Sequence, residues 1–318
     1  MRIYIYIITL LSISVVTKSF SQTLLWSEEF NSGTVPNSNV WSYDLGSSGW
    51  GNSELQNYTS SPDNVKVENG YLVITANKQG NNITSARLKT LDKLTVRYGT
   101  VEARISTPDL ADGLWPAFWL LGNNFPTIGW PRCGEIDIME MGSGSAIAQN
   151  IVNRDVSSAA HWGPDGNRVY YSDHLTLAQD IDGQFVTYRM EWTPSSITTY
   201  INNQQIWVID ITPANLAAFH EPFFFLLNLA VGGNFMGIYN PNQITAPFPA
   251  DYKIDYIRVY DNGYTSLGGS SLGNNNAPEF NSDPLTLPSI QAGSSYSEDL
   301  SSLASDDDGD VLTFSKIS

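Results

Sequence analysis

The sequence predicts an all-β fold, a sandwich or jelly roll, and three observations carry that prediction. Short runs rich in β-branched and aromatic residues recur, with Gly, Asn, Ser and Pro between them. No segment shows a sustained helical period, and only 213–220 reads as a short helix. The dipeptide Asn69-Gly70 joins two strand-like runs, 65–67 and 71–76, as a tight hairpin turn would.

The expected elements follow in order. Residues 24–30 open the domain as a strand, and 41–43 follow as another. A Gly- and Ser-rich stretch then carries Trp50-Gly51-Asn52-Ser53-Glu54-Leu55-Gln56. Beyond the hairpin, alternation places strands at 85–90, 96–105 and 117–121. After the stretch 134–141 they are expected at 146–152, 169–172, 185–193, 197–201, 205–209, 223–230 and 252–260.

Residues 1–21 read as a signal peptide. Arg2 gives a positive start, the apolar run 3–16 is short for a bilayer, and Ser19-Phe20-Ser21 offers a cleavage site before Gln22. A secreted protein is the expectation, and a retained anchor is its rival. The main domain is expected over 22–262 and a Gly/Ser/Asn linker over 263–276. Residues 277–318 read either as the start of a truncated module or as an acidic tail. The run Asp306-Asp307-Asp308-Gly309-Asp310 resembles the Asp-rich turn of cadherin-like or immunoglobulin-like modules, in which such acids bind Ca²⁺.

Composition narrows the function. A net charge of −16 speaks against nucleic acid and against anionic membranes as partners, and fits a neutral substrate. Cys133 is the only cysteine, so no intramolecular disulfide can form, and packing is its expected role. A monomer is expected.

The chemistry concentrates in Gly134-Glu135-Ile136-Asp137-Ile138-Met139-Glu140-Met141. On a strand Glu135 and Asp137 share one face, with Ile136 and Ile138 on the other. Glu140 is out of step, and a β-bulge near Met139 would return it to the acidic face. Two carboxylates flanking one bond are what glycoside hydrolysis needs, and a third between them raises the cost of ionising both. The plainer alternative is a solvated acidic strand face.

With Trp130-Pro131 and Cys133-Gly134 before it, the run Glu135-Ile136-Asp137-Ile138-Met139-Glu140 resembles the active-site strand of family 16 glycoside hydrolases, and within them the laminarinase-type endo-β-1,3-glucanases. The resemblance spans about 25–260. It implies a concanavalin-like jelly roll of two curved antiparallel sheets with a concave cleft. It also implies Glu135 as nucleophile, Glu140 as acid/base and Asp137 as electrostatic helper, acting on a β-glucan without a catalytic cofactor. Trp115 and Trp119 are then expected toward the cleft, with Trp130 stacking on a sugar and Phe118 in the core. Asn52, Glu54, Arg87, His161 and Asn228 become candidate sugar contacts. Arg87 in a structural ion pair and His161 as a structural histidine are the rival readings. The resemblance further implies a structural Ca²⁺ held by Asp255 with oxygens of Glu28 and Gly70, and a surface salt bridge of Asp255 is the rival. In strand 252–260, alternation sets Ile254, Tyr256 and Arg258 opposite Asp255 and Ile257. A non-catalytic glucan-binding lectin, or a family 16 hydrolase of agar or carrageenan, would use many of the same residues.

Overall fold

A computed structural model describes residues 22–164, 166–272, 279–280 and 303–305. Two large, mainly antiparallel sheets pack face to face. One sheet, here the acid-bearing sheet, runs Val169–Thr176, Asp155–Trp162, Glu135–Glu140, Leu114–Gly122, Phe223–Val231, Arg87–Lys89 and Ser42–Asp44 in spatial order. Along the main path of the opposing sheet lie Gln204–Asp210, Ser196–Ile201, Val186–Trp192, Gly99–Ser106, Ala250–Tyr260 and Tyr71–Gln79. The pairing of Asn57–Tyr58 with Asn82–Ser85 is parallel.

Alternation explains the core. Phe118, Ile136, Ile138, Phe225, Leu227, Tyr188, Met190, Tyr252 and Ile254 are fully buried between the sheets. Each such aliphatic, Met or Phe side chain contributes about 1.5–3 kcal/mol relative to exposure. Phe223–Val231 is buried along its whole length, apolar on both faces except at Asn228. Its inward residues join the main core, while Phe224 and Leu226 pack on Leu121 and Cys133. Cys133 is thus a packing residue, and burial together with neighbouring Glu135 pushes its thiol up to about 12, so it stays protonated.

The hairpin at Asn69-Gly70 is present, with φ of 56° and 79° as such a turn requires. The expected short helix at 213–220 is a 3-10 helix over Ala214–His220. Other expectations need correction. The strand 96–105 is two strands, because Tyr98 (φ 60°) and Gly99 (φ 114°) turn the chain from one sheet into the other. The strand 85–90 is shorter, Arg87–Lys89, and Ser85 ends a separate strand. In place of a strand at 146–152 stands the helix Gly144–Ala148, capped by Ser143 Oγ, which accepts from the Ala146 amide at 3.2 Å. The cap outweighs the β-propensity of Ile147, while Ile151 and Val152 lie in the connection that follows. Asp155–Trp162 is a strand that the pattern hid, since Ser157, Ser158, Ala159 and Ala160 carry little strand signal.

Alternation also fails at Asp255. The register with Gly99–Ser106 slips between Ile254 and Tyr256, so Ile254 and Ile257 both enter the core. Asp255, Tyr256 and Arg258 remain partly exposed. Part of the expected linker is built into the sandwich: Ser266–Gly268 pairs with Thr95–Arg97, and the Ser271 amide donates to the Lys93 carbonyl at 2.8 Å. Glu279–Phe280 pairs with Ala304–Ser305, and the acids 306–310 lie outside the described residues.

Gly142 brings the chain out of the acid-bearing strand with φ of 102°, and a Cβ there would lie 2.1 Å from the Leu114 carbonyl oxygen. The nearest atoms are all backbone of Leu114 and Trp115, which leaves no room to yield. Gly142→Ala is therefore expected to destabilise the fold by about 2 kcal/mol or more. Urea unfolding should show a lower midpoint at an unchanged slope.

Candidate active site

The three acids reach one face through a break in strand register. Asp137 pairs with Trp119 and Met139 with Phe118, so Ile138 is the extra residue. The opposite edge slips at the same place, between Asp137 and Glu140. Ile138 and Met139 both turn into the core, which returns Glu140 to the side of Glu135 and Asp137. Ser158 Oγ donates to the Ile138 carbonyl at 2.7 Å and so satisfies a group that the bulge removes from the ladder.

Burial sets the electrostatics. Glu135, Asp137 and Glu140 are each pushed up to about 8, first by desolvation. The charge of Asp137 adds to the rise at both glutamates. His161 and Arg87 oppose it at Glu135, while His161 and the Trp115 hydrogen bond oppose it at Glu140. His161 Nε2 lies 3.1 Å from Asp137 Oδ2 and 3.7 Å from Glu135 Oε1, without the alignment of a hydrogen bond. Trp115 Nε1 donates to Glu140 Oε1 at 2.9 Å, and its ring stacks on Phe235. One donor atom each from Glu135, Asp137 and His161 fall within 4.8 Å of one another, a spacing that a divalent cation could also use.

The site is thus a bulged strand with three desolvated acids on one side. The family model for glycosyl hydrolases family 16 matches residues 52–258. The chain belongs to glycosyl hydrolase family 16. It is similar to the clotting factor G alpha subunit of Tachypleus tridentatus, 36% identical over 259 residues, covering 78% of this chain and 36% of that protein. It is also similar to glucan endo-1,3-beta-glucosidase A1 of Niallia circulans, 34% identical over 271 residues, covering 74% and 37%. The chain thus spans little more than a third of these two relatives. Among solved structures, a family 16 enzyme from the mixed-linkage glucan locus of Bacteroides ovatus, in complex with a G4G4G3G product, matches with a TM-score of 0.69 at 34% identity, covering 74% of this chain and all of that one.

Within this family 16 chain the other candidates fall into two groups. Trp119, Asn228, Arg87, Asn52 and Glu54 lie to one side of the acid-bearing strand Glu135–Glu140. Trp119 Nε1 donates to Asn228 Oδ1 at 2.8 Å, which supplies the partner a buried Asn needs. The Arg87 guanidinium lies 4.8 Å from the Trp119 ring centroid and 5.1 Å from that of Trp50, while its Nε is 3.0 Å from Asp44 Oδ2. Arg87 thus has the ion pair that its rival reading named, and a cleft-side stack as well. Glu54 is buried, and its carboxylate accepts from Asn52 Nδ2, Gln56 Nε2 and Tyr58 OH at 3.4, 2.6 and 3.1 Å. Most of its acceptor capacity goes to this internal network, and burial holds its carboxyl above the usual range.

On the other side stand His161 and Trp130. Trp130 is 43% exposed, with the Arg168 guanidinium 6.0 Å from its ring. Sequence reasoning missed Asp44, Trp50, Tyr58, Phe235 and Arg168 as members of the site. Trp50 stood in a motif already singled out, but Asp44 and Arg87 meet only through strand pairing. A cavity of about 370 Å³ lined by Thr107, Asp182, Phe185 and Lys253 belongs to the opposing sheet, so concavity alone does not point to the acids.

Asp255 lies on that opposing sheet, with Arg104 Nη1 2.5 Å from its carboxylate, the ion pair its rival reading named. Glu28 pairs with Ile257 in the neighbouring strand, and its carboxylate accepts from the Phe30 amide and Trp41 Nε1, each at 3.3 Å. Gly70 sits at the hairpin turn beside Asn31.

The raised acids fix a sign for stability. Between the ordinary carboxylate range and about pH 8 the folded chain holds more protons than the unfolded chain, so these acids make stability fall as pH rises through that window. Asp137→Asn removes one of them. It is expected to stabilise the fold at pH 8 by on the order of 1 kcal/mol or more and to have little effect near pH 4. Thermal unfolding of both proteins across that range checks this.

Proposed function

We propose that the chain is a secreted, retaining endo-β-1,3-glucanase acting on laminarin-type β-glucans. The observation that carries this reading is the pair of glutamates brought to one face by the bulge, with Asp137 between them. In the first step a Glu135 oxygen attacks the anomeric carbon while Glu140 gives its proton to the departing glycosidic oxygen. In the second, Glu140 takes a proton from water, and the resulting hydroxide displaces Glu135 and regenerates its carboxylate. Desolvation favours a protonated Glu140 at neutral pH, as a general acid requires. Desolvation raises Glu135 as well and His161 opposes the rise at both glutamates, while the Arg87 charge opposes it at Glu135, in the direction a nucleophile requires.

Glu135→Gln is expected to lower turnover of laminarin at least about 1000-fold while oligosaccharide binding persists. Release of reducing sugar is the assay, and normal turnover by that variant would remove Glu135 from the mechanism. A parent protein that binds laminarin without releasing sugar would favour the lectin reading. Products from laminarin, lichenan and agarose separate β-1,3 from mixed-linkage cleavage, and agarose as the only substrate cleaved would overturn the assignment. The net charge of −16 gives no support to a sulfated substrate.

We also propose a structural Ca²⁺ at Asp255, Glu28 and Gly70. Hard oxygen donors suit this ion, and Asp255 lies on the sheet away from the acids. Arg104 competes for the same carboxylate. An ion bound only by the folded state would stabilise it by mass action. Chelation is expected to lower the melting temperature of the parent, with Asp255→Ala insensitive and turnover at low temperature intact. An unchanged melting temperature would leave Arg104 as the partner of Asp255. Loss of turnover in folded protein would point instead to a metal at Glu135, Asp137 and His161.

A further inference from the structure

The acid-bearing face does not stop at His161. Register carries two rows of side chains outward from the catalytic glutamates, Glu135–His161–Tyr170 and Glu140–Ser157–His174. Directly paired residues put their side chains on the same face. Tyr170 and His174 therefore extend the catalytic face onto the outermost strand, Val169–Thr176, two strand spacings or about 10 Å from the acids.

This edge strand is exposed over nearly its whole length. Edge strands are usually blunted by charge, Pro or coverage, yet Tyr170 and Tyr171 stand here 57% and 45% exposed. Tyr171 meets the Trp207 ring edge-on. Tyr170 points to the acid side, where its ring stacks on His161 at 5.8 Å between centroids and lies 4.8 Å from the Arg168 guanidinium. The ring is thus held in place while still exposed, which lowers the ordering cost of binding something flat against it. His174 is held as well. Its Nδ1 is 2.8 Å from Oδ1 of the buried Asp155, which also accepts from Thr176 Oγ1 at 2.7 Å. Among the described residues nothing bonds His174 Nε2.

We propose that Tyr170, braced by Arg168, and His174 bind the glucan on the side of the cleaved bond opposite Trp119 and Asn228. Tyr170 supplies a platform for the apolar face of a pyranose ring, and His174 Nε2 a hydrogen-bonding group for a sugar hydroxyl. This rests on the β-glucan reading above.

Steady-state kinetics on laminarin test it. Tyr170→Ala is expected to raise KM about tenfold, in the range of a single binding hot spot, with kcat within about twofold. Tyr170→Phe keeps the platform and is expected to restore KM, and His174→Ala should raise KM in the same direction. The melting temperature of Tyr170→Ala should match the parent, since the ring is exposed. An unchanged KM, or a fall in kcat together with melting temperature, overturns the proposal and leaves the glucanase reading intact. If the parent binds laminarin without cleaving it, that reading fails instead, and the same tenfold loss is sought in the Kd of Tyr170→Ala.

Discussion

The site depends on one geometric constraint: side chains on a strand alternate with a period of two, and Glu135 and Glu140 are five residues apart. Regular alternation would send one glutamate to solvent and the other into the core. The bulge at Ile138 absorbs the odd residue, and the core accepts two consecutive side chains, Ile138 and Met139, in return. Packing and chemistry are therefore one event here. The same two residues that complete the hydrophobic layer determine which way Glu140 points.

Burying three carboxylates together works against the stability of the fold. The strands on both sides carry part of the compensation. Trp115, on the neighbouring strand, donates to Glu140, and His161, paired across the other edge, faces Asp137 and Glu135. Desolvation is what chiefly raises the acids, with the charge of Asp137 adding to it at both glutamates, and a raised carboxyl is useful to a reaction that needs a proton donor at neutral pH. A local loss of stability and a catalytic asset thus have the same origin.

Much of this was legible in the sequence, and what was not fails for definite reasons. The alternation of 135–138 and the misplaced Glu140 announced both the acidic face and the bulge. The turn at Asn69-Gly70 announced its hairpin. The strand Asp155–Trp162 stayed hidden because Ser and Ala dominate its centre, so His161 was reached through a motif and not through an element. Tyr98 has no turn signature of its own, yet it sends the chain between sheets. The partnership of Asp44 with Arg87 joins strands far apart in the chain, and no local pattern encodes it.

The extra residue at Ile138 also bears on how such sites are written in sequence. A strand with four steps between its glutamates and no bulge has the same parity as this one with five steps and a bulge. Chains of different length can thus present the same pair of carboxylates on one face of a sheet. What the chemistry requires is a shared face, and the number of letters between the acids is free to differ by one wherever the sheet can take up the slack.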